Sequence, residues 1–485
     1  MEIQENRTEI SKNTVIKSLI WKLFERGGTQ GIQFIIQIIL ARLLSPEDYG
    51  ILAILLAFIA LANVFVQSGL NTALIQKKNA DIEDFSSVFW VSLCISGFLY
   101  LLLFVTAPFI ANFYQNQTLK PVLRVIAITL FFGALNSVQN AYISKHLLFK
   151  RLFYSSTGAV LVSGVIGVVL AANGFGVWSL VVQNLANNAV ISIILWFTVK
   201  WRPKFFFSMK RIKPLFSFGW KLLGSALLET GYRQIYNLVI GKAFSGEQLG
   251  FFSRGEQFPQ LIATNIDGSI QSVMLPTLSA VNNNKEEVKK IARKSITLSS
   301  FILMPFMFGM AAVSENMVLL LLTEKWLPCV PFIQLSCIAF AFYPIHTANL
   351  TAINALGRSD IFLKLEVIKK IMGIFILIVT LPFGLIWMAL GRVVSSLIST
   401  IINSFPNKSL LNYNYFEQLK DISPPFILSL CMSIIVYIVG MISLPVFYIF
   451  IIQIIVGVGV YIALTKLFNI EILNYLLQTI RGLRK

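Results

Sequence analysis

The first feature of this sequence that could do chemistry is a row of polar side chains inside an apolar segment. Arg26, Gln30, Gln33 and Gln37 follow one another at intervals of three or four residues, so a helix would place them on one face. Gln supplies hydrogen-bond donors and acceptors, and Arg can hold a phosphate through two parallel bonds. Such a face suits a sugar or a phosphate better than it suits lipid.

Two later apolar segments carry rows of the same kind, again at helical spacing. The earlier row consists of Glu229, Arg233 and Asn237. The later row consists of Gln257, Gln260, Thr264, Asp267 and Gln271. A charge inside a bilayer costs about 2.5–3.5 kcal/mol on insertion scales, so these residues must face protein or water. The three rows together predict an aqueous cavity, shared by two halves of the protein, that binds the substrate.

Asp267 and Glu229 are candidates for coupling transport to a proton or cation, but structural alternatives stay open. Glu229 and Arg233 could neutralise each other at a spacing of four residues. Asp267 could be a counter-ion to Arg254 or Arg233, and Arg26 need not be a substrate ligand. The sequence contains no nucleophile motif, phosphate-binding glycine loop or metal-ligand spacing. It therefore predicts no catalytic residue, metal or cofactor, and the protein is not expected to be an enzyme.

The segments that hold these rows belong to a chain with the composition of a membrane protein. Its 485 residues are 56% hydrophobic and 13% charged, which is too apolar for an ordinary soluble protein. A spanning helix needs about 20 mostly apolar residues, and fourteen such segments predict an all-α, multi-pass fold. Their approximate bounds are 17–41, 49–71, 87–110, 122–143, 154–172, 177–199, 218–241, 250–278, 295–322, 331–353, 365–381, 385–405, 425–442 and 446–466.

The net charge of +18 could indicate a nucleic-acid partner, but the distribution of the charge argues against one. Lys and Arg are concentrated in the N-terminal tail, in every second loop and in the C-terminal tail. This alternation is the positive-inside pattern of a membrane protein. It predicts that both termini are cytoplasmic and that the partners include membrane lipids. The polar first sixteen residues also predict that there is no cleavable signal peptide.

A turn motif occurs twice, about 200 residues apart. The matched residues are Ser45, Glu47 and Gly50 in the first copy and Ser245, Glu247 and Gly250 in the second. Ser45 suits a helix N-cap and Asp48 would complete a capping box, so the motif is interpreted as a structural turn. Weaker echoes extend the repeat over the first six segments and the next six. Repeats with an even number of spans are parallel, which predicts two six-helix lobes related by a pseudo-two-fold axis, plus two C-terminal helices.

The repeat also predicts how the chain is divided. The most basic connection lies between the lobes, and its run Trp201–Phe207 is interpreted either as an interfacial segment on anionic headgroups or as a solvated linker. The predicted regions are a cytoplasmic N-terminal tail (1–16), an N-terminal lobe (17–199), a basic cytoplasmic linker (200–217), a C-terminal lobe (218–405), the last two spans (406–466) and a cytoplasmic tail (467–485).

The stretch Leu40–Ala53, with its flanks Glu25–Gln30 and Gly69–Gln76, resembles the opening of the Wzx-type polysaccharide transporter family, in particular its colanic-acid-exporter branch. That family belongs to the superfamily of multidrug, oligosaccharidyl-lipid and polysaccharide exporters. The resemblance extends over about residues 17–405. It implies two six-helix lobes around a cavity that opens alternately to either side of the bacterial cytoplasmic membrane.

The resemblance also implies the cargo, which is a polyprenyl-diphosphate-linked oligosaccharide moved from the inner to the outer leaflet. Such transport serves the biosynthesis of O-antigen, capsule or exopolysaccharide, with polysaccharide-assembly proteins as candidate partners. A multidrug or cation antiporter shares the architecture, although drug cations favour an anionic cavity. A membrane polymerase or glycosyltransferase is a second alternative, but the connections on the outer side are short for one. Sodium coupling is not expected, because the body of segments eleven and twelve offers no carboxylate.

Overall fold

The computed structural model of the protein is α-helical, with no β-strand in the residues it describes. These residues are 12–67, 69–77, 79–281 and 283–468, with the side chains of 12–20 and 22–26 outside the description. The N-terminal tail and the tail 467–485 therefore lie largely outside it. The helices are α1 (Lys12–Leu43), α2 (Pro46–Gln67), α3 (Leu70–Gln76), α4 (Ile82–Phe113), α5 (Leu119–Ile126), α6 (Thr129–Lys145), α7 (Phe149–Ala172), α8 (Val177–Thr198), α9 (Met209–Ala243), α10 (Gly246–Ala280), α11 (Lys285–Leu321), α12 (Val330–Ala341), α13 (Tyr343–Ala355), α14 (Ser359–Thr380), α15 (Leu385–Leu411), α16 (Tyr415–Gly440) and α17 (Val446–Leu467), with short 3-10 helices at Glu324–Cys329 and Leu381–Phe383.

The apolar segments predicted from the sequence all fall on helices in the described part of the chain. Ten helical stretches there are long and apolar enough to cross a membrane. The other four long helices, α1, α9, α10 and α14, have 22 to 35 residues and carry the polar rows or a cluster of charges. The predicted all-α, multi-pass membrane fold is thus confirmed. Three of these four helices, α1, α9 and α10, are those expected to do the chemistry.

Two of the predicted spans are interrupted in the middle. The span 122–143 breaks between α5 and α6, where the Thr129 hydroxyl donates to the carbonyl oxygen of Ile126 at 2.6 Å and so competes with the helical backbone bond. The span 331–353 breaks at Phe342, just before Pro344, which has no N–H to continue the helix. Only the second break has a clear signal in the sequence.

The chain forms two units, Met1–Gly250 and Phe251–Lys485. Helix α9 belongs to the first unit, because glycines let it approach α2 and α3 closely. A Cβ atom at Gly219 would lie 2.7 Å from the backbone carbonyl carbon of Gly69, and one at Gly241 would lie 2.8 Å from the side chain of Ile54. The boundary predicted from the internal repeat lies in the linker 200–217, before most of α9. The division by packing falls after Gly250.

The connection between α8 and α9 is docked on the first unit. Trp201 is only 5% exposed and packs against the rings of Phe85 and Phe89. The backbone N–H of Lys204 donates to Ser86 Oγ at 3.0 Å, while Phe205 remains 97% exposed. The two interpretations of this segment, interfacial or solvated, both missed that its backbone is fixed to the protein.

An ion-pair cluster fixes the start of α9 next to this connection. Arg211 contacts Asp81, Glu83 and Asp84 at 2.7, 2.6 and 3.1 Å, and Lys77 contacts Asp84 at 2.6 Å. The hydrogen bonds that Arg211 donates to Asp81 and Asp84 raise the pKa of its guanidinium. The start of α4 and the residues just before it therefore anchor the start of α9.

The second unit has a polar core at the contact of α13, α15 and α16. The side chains of Asn349 and Gln418 exchange two hydrogen bonds, at 2.7 and 3.0 Å. Asn407 donates a further bond to the Asn349 side-chain oxygen. All three residues are buried. Because buried amides must be paired, this network fixes the register of the three helices.

Candidate functional site

The row on α1 lies beside the surface by which that helix packs. Thr29 and Ile36 are buried and lie within about 60° of Gln33 around the helix axis. Ile36 packs so closely that a Cβ atom at Gly164 of α7 would lie 2.1 Å from its side chain. Gln33 is exposed, whereas Gln30 and Gln37 are half-buried. The side chain of Arg26 lies outside the described residues, so its proposed role stays a prediction.

The polar side chains of the α9 row are more exposed to solvent than those of the α1 row. Glu229 and Arg233 are both exposed, and Asn237 is half-buried and donates to Gln234 Oε1 at 3.0 Å. Tyr236 and Ile240 are buried on the neighbouring surface of the same helix. A guanidinium and a carboxylate therefore remain accessible on a helix long enough to span a membrane.

The row on α10 contains a buried carboxylate. Asp267 is 7% exposed; it accepts hydrogen bonds from Thr347 at 2.5 Å and from Gln271 at 2.7 Å. Thr264 and Gln260 are half-buried and are joined by a 2.8 Å bond from the Thr264 hydroxyl to the Gln260 carbonyl. Gln257 is exposed. The row thus runs from an accessible amide to a buried carboxylate.

One alternative for Asp267 is wrong. It was a candidate counter-ion to Arg254, but Arg254 donates to Gln257 Oε1 and lies over the ring of Trp326. Among the described residues, the hydrogen-bond partners of Asp267 are neutral, a hydroxyl and an amide. Burying a carboxylate without a cation is costly, so the burial of Asp267 needs a compensating contribution from elsewhere, such as its function.

Two sets of ion pairs lie within apolar segments of the second unit and were not predicted from the sequence. Arg392 of α15 forms two hydrogen bonds to the two carboxylate oxygens of Glu256 on α10. On α14, Glu366 pairs with Lys369 at 2.5 Å and lies 3.9 Å from Lys370. The presence of opposite charges inside apolar segments was the sequence feature that could have suggested these ion pairs. Glu366 lies at the edge of segment eleven, and it was not counted when the lack of a carboxylate in the body of that segment led us to expect no sodium coupling. Its carboxylate is already paired with Lys369.

A fourth row, on α8, was also missed. Four amide residues of this helix are half-buried, namely Gln183, Asn184, Asn187 and Asn188. Asn187 donates to Ser163 Oγ of α7 at 3.2 Å, and Ser192 donates to Asn136 Oδ1 of α6 at 2.7 Å. Their spacing would have placed them on adjoining helix faces. The bonds of Asn187 and Ser192 join α6, α7 and α8, so these two side chains contribute to the packing of the helices.

The two copies of the turn motif start α2 and α10. Ser45 forms the predicted capping box with Asp48, whose carboxylate accepts from the Ser45 backbone at 3.0 Å and from its hydroxyl at 2.7 Å. In the second copy the Ser245 backbone N–H donates to Gln248 Oε1 at 3.4 Å, and the Gln248 backbone N–H donates to Ser245 Oγ at 3.2 Å. Glu47 and Glu247 lie in the first turns of these helices. The motif is therefore a pair of helix starts, as the capping rules predict.

The two helix starts touch each other through glycine. A Cβ atom at Gly50 would lie 1.7 Å from the carbonyl oxygen of Gly246, and one at Gly250 would lie 1.9 Å from the carbonyl oxygen of Pro46. Gly246 occupies the repeat position of Pro46, so the contact is reciprocal. This is the symmetry expected of a two-fold relation between the repeats, and it is the feature of the turns that the sequence alone did not reveal.

The family of the chain follows from comparison with known proteins. A family model described as "Polysaccharide biosynthesis protein" matches residues 39–331, a range that contains both turns and the rows on α9 and α10. The chain belongs to this family. The resemblance stated from the sequence is thereby confirmed.

Curated relatives agree with this family. The chain is 24% identical to the succinoglycan biosynthesis transport protein ExoT of Rhizobium meliloti (strain 1021), over 75% of this chain and 73% of that protein. It is 22% identical to the lipopolysaccharide biosynthesis protein WzxC of Escherichia coli (strain K12), over 85% of each. The family is one of membrane transporters of polysaccharide biosynthesis, and the prediction of a non-enzyme agrees with these relatives.

A solved structure shares the fold. The lipid II flippase MurJ in an inward closed conformation superposes with a TM-score of 0.77 at 18% sequence identity, over 94% of this chain and all of that chain. At this identity the likeness shows the fold alone. It supports the predicted arrangement of fourteen membrane helices.

Proposed function

We propose that the protein is a flippase that moves a polyprenyl-diphosphate-linked oligosaccharide from the cytoplasmic to the outer leaflet by alternating access. The observation that carries this proposal is the accessibility of polar groups on helices of spanning length. Gln33 on α1, Arg233 on α9 and Gln257 on α10 are all exposed. A polar side chain at membrane depth requires water or a polar ligand, and a transporter of glycolipids supplies both.

The chemistry of the rows fits the two polar parts of such a substrate. Arg233, with Arg26, would bind the diphosphate through charge-assisted hydrogen bonds. The amides would bind sugar hydroxyls, which both donate and accept; they are Gln30, Gln33, Gln37, Asn237, Gln257, Gln260 and Gln271, with the Thr264 hydroxyl beside them. The lipid tail would remain in the membrane.

Membrane location and energy coupling complete the proposal. The charge pattern favours the bacterial cytoplasmic membrane with both termini in the cytoplasm, and polysaccharide-assembly proteins are the expected partners. The inside-negative potential assists outward movement of the diphosphate, by up to about 2.3 kcal/mol per charge per 100 mV. Asp267, with Glu229, is the candidate site for a counter-moving proton.

Reconstituted flipping tests the role of the α9 row. In liposomes that contain a fluorescent polyprenyl-diphosphate oligosaccharide, Arg233→Gln should lower the initial flipping rate about tenfold or more, since a hydrogen bond to a charged group contributes about 1.5–3 kcal/mol. Lys221→Gln is the matched control, because Lys221 is exposed on the same helix but lies about 120° away around its axis. Flipping by Arg233→Gln at the wild-type rate would remove Arg233 from the binding site.

The coupling site needs a separate experiment. The flipping rate of wild-type protein should respond to an imposed pH gradient, and the double variant Asp267→Asn, Glu229→Gln should lose that response while keeping its response to membrane potential. A double variant that still responds fully to the pH gradient would show that these carboxylates do not couple transport to protons.

A further inference from the structure

A basic cavity lies in the second unit, where α11 begins and α15 ends. Its volume is about 500 Å³, which is within the range of small-ligand sites. Four cations from the first turns of α11 line it, Lys285, Lys289, Lys290 and Arg293, together with one carboxylate, Glu286. The end of α15, up to Asn412, forms the other wall. The polar rows and the turns described above do not contribute to it.

Two of these cations are held in place by α16. Lys289 lies 3.2 Å from Glu417 and also donates to the carbonyl oxygen of Asn412. Arg293 pairs with Asp421 at 2.5 Å through Nη2, while its side chain stays 57% exposed. These contacts fix the wall of the cavity. The bond from Lys289 also occupies the carbonyl oxygen of Asn412, and that oxygen would otherwise repel an anion.

The other two cations are available to a ligand. Lys285 and Lys290 are exposed, and neither has an ion-pair or hydrogen-bond partner in the portion of the chain that the structure describes. The charges of Lys289 and Arg293 are already balanced by Glu417 and Asp421. Lys285 and Lys290 add two further positive charges, and the single negative charge of Glu286 offsets only one of these two. The lining of the cavity therefore has a surplus of positive charge.

The position of the cavity indicates where its ligand comes from. Residues 285–294 precede the apolar part of α11, and 406–412 follow the apolar part of α15. Both ends belong to the side that the positive-inside pattern assigns to the cytoplasm. Basic recesses between membrane helices at this depth lie level with the phosphates of anionic lipids.

We infer that this cavity binds the phosphate of an anionic headgroup, with Lys285 and Lys290 as its direct contacts and Arg293 beside them. The shared chemistry is a phosphodiester or phosphomonoester, presented either by a glycerophospholipid of the membrane or by a soluble glycerol phosphate. This site is independent of the proposed flippase function, since it uses none of the residues assigned to the glycolipid.

Binding to the purified full-length protein tests the inference in two arms. In one arm the protein is placed in phosphatidylcholine nanodiscs, and retention of added phosphatidylglycerol is measured by native mass spectrometry. In the other arm soluble glycerol 3-phosphate is titrated against the same preparation. The double variant Lys285→Gln, Lys290→Gln should weaken binding roughly 30-fold in whichever arm presents the natural source, as expected for the removal of two surface cations.

Two further variants keep this test decisive. Lys420→Gln, Lys466→Gln removes two exposed cations of the same unit that do not line the cavity, and it should bind like the wild type. Lys285→Arg, Lys290→Arg keeps both charges and should also bind like the wild type, which separates loss of charge from loss of folding. Unchanged binding by the Gln double variant in both arms would overturn the inference, as would an equal loss in the control double variant.

Discussion

The turn that starts α2 and the turn that starts α10 are copies of one motif. They share a close backbone contact but differ in their capping hydrogen bonds. Both place a glycine, Gly50 or Gly250, where a Cβ atom would overlap a carbonyl oxygen of the other turn. Their capping bonds differ, because Asp48 accepts at 2.7 and 3.0 Å whereas Gln248 accepts at 3.4 Å. The comparison indicates that backbone contact constrains this motif more strongly than capping does.

The largest expected effect comes from filling that contact. Gly50→Ala or Gly250→Ala should each lower the free energy of unfolding by about 1–3 kcal/mol, since the new methyl group would lie within 2 Å of backbone and the helices would have to separate. Thermal unfolding of the detergent-solubilised protein measures the loss.

Gly246→Ala is the matched control for both substitutions. A Cβ atom at Gly246 would lie 3.4 Å from the side chain of Glu47 and 3.9 Å from its carbonyl oxygen, both ordinary contacts. Its unfolding should therefore stay at or slightly above the wild-type temperature, because Ala is the better helix former. If Gly246→Ala were as damaging as Gly50→Ala, the reciprocal contact would not be the cause.

A smaller effect should separate the two caps. Ser45→Ala should cost about 1 kcal/mol, in the usual range for loss of an N-cap. Ser245→Ala should cost about half as much, because Ser45 Oγ both accepts from the Asp48 N–H at 3.3 Å and donates to the Asp48 carboxylate at 2.7 Å, whereas the bond found for Ser245 Oγ is the one that it accepts from the Gln248 N–H at 3.2 Å. The same unfolding measurement compares them. Equal costs would mean that the capping bonds do not distinguish the two turns.

The smallest effect should come from making the second turn resemble the first. Gln248→Glu places a carboxylate at the acidic position of the capping box, near the positive end of α10. It should stabilise the protein by about 0.3–1 kcal/mol at low ionic strength, and the gain should shrink in high salt. A loss of stability at low salt would contradict the capping account of this turn.

The sequence predicted the parts of the fold that depend on local pattern. Apolar length located the spans, and the spacing of Ser45 and Asp48 located a cap. The break at Pro344 could have been anticipated from its missing N–H, whereas the break before Thr129 depends on which way one hydroxyl turns. The buried Trp201 also escaped prediction, since an aromatic residue in a basic linker is equally typical of a membrane surface.

The candidate site was predicted less completely, because its remaining residues pair across long distances in the chain. Glu256 and Arg392 are separated by 136 residues, and nothing in either segment alone indicates that they meet. Asp267 was found from its spacing on α10, but its partner Thr347 on α13 was not. Helix periodicity assigns a residue to a face and leaves open what that face contacts.

The most direct test of the proposed function is the leaflet distribution of the lipid-linked oligosaccharide in cells from which the protein has been depleted. A strain without another exporter for the same glycan is required, and the leaflets can be distinguished by the access of a membrane-impermeant lectin or glycosidase to spheroplasts. The account predicts that the lipid-linked oligosaccharide accumulates on the cytoplasmic leaflet and that surface polysaccharide declines. Delivery to the outer leaflet at the wild-type rate would contradict it.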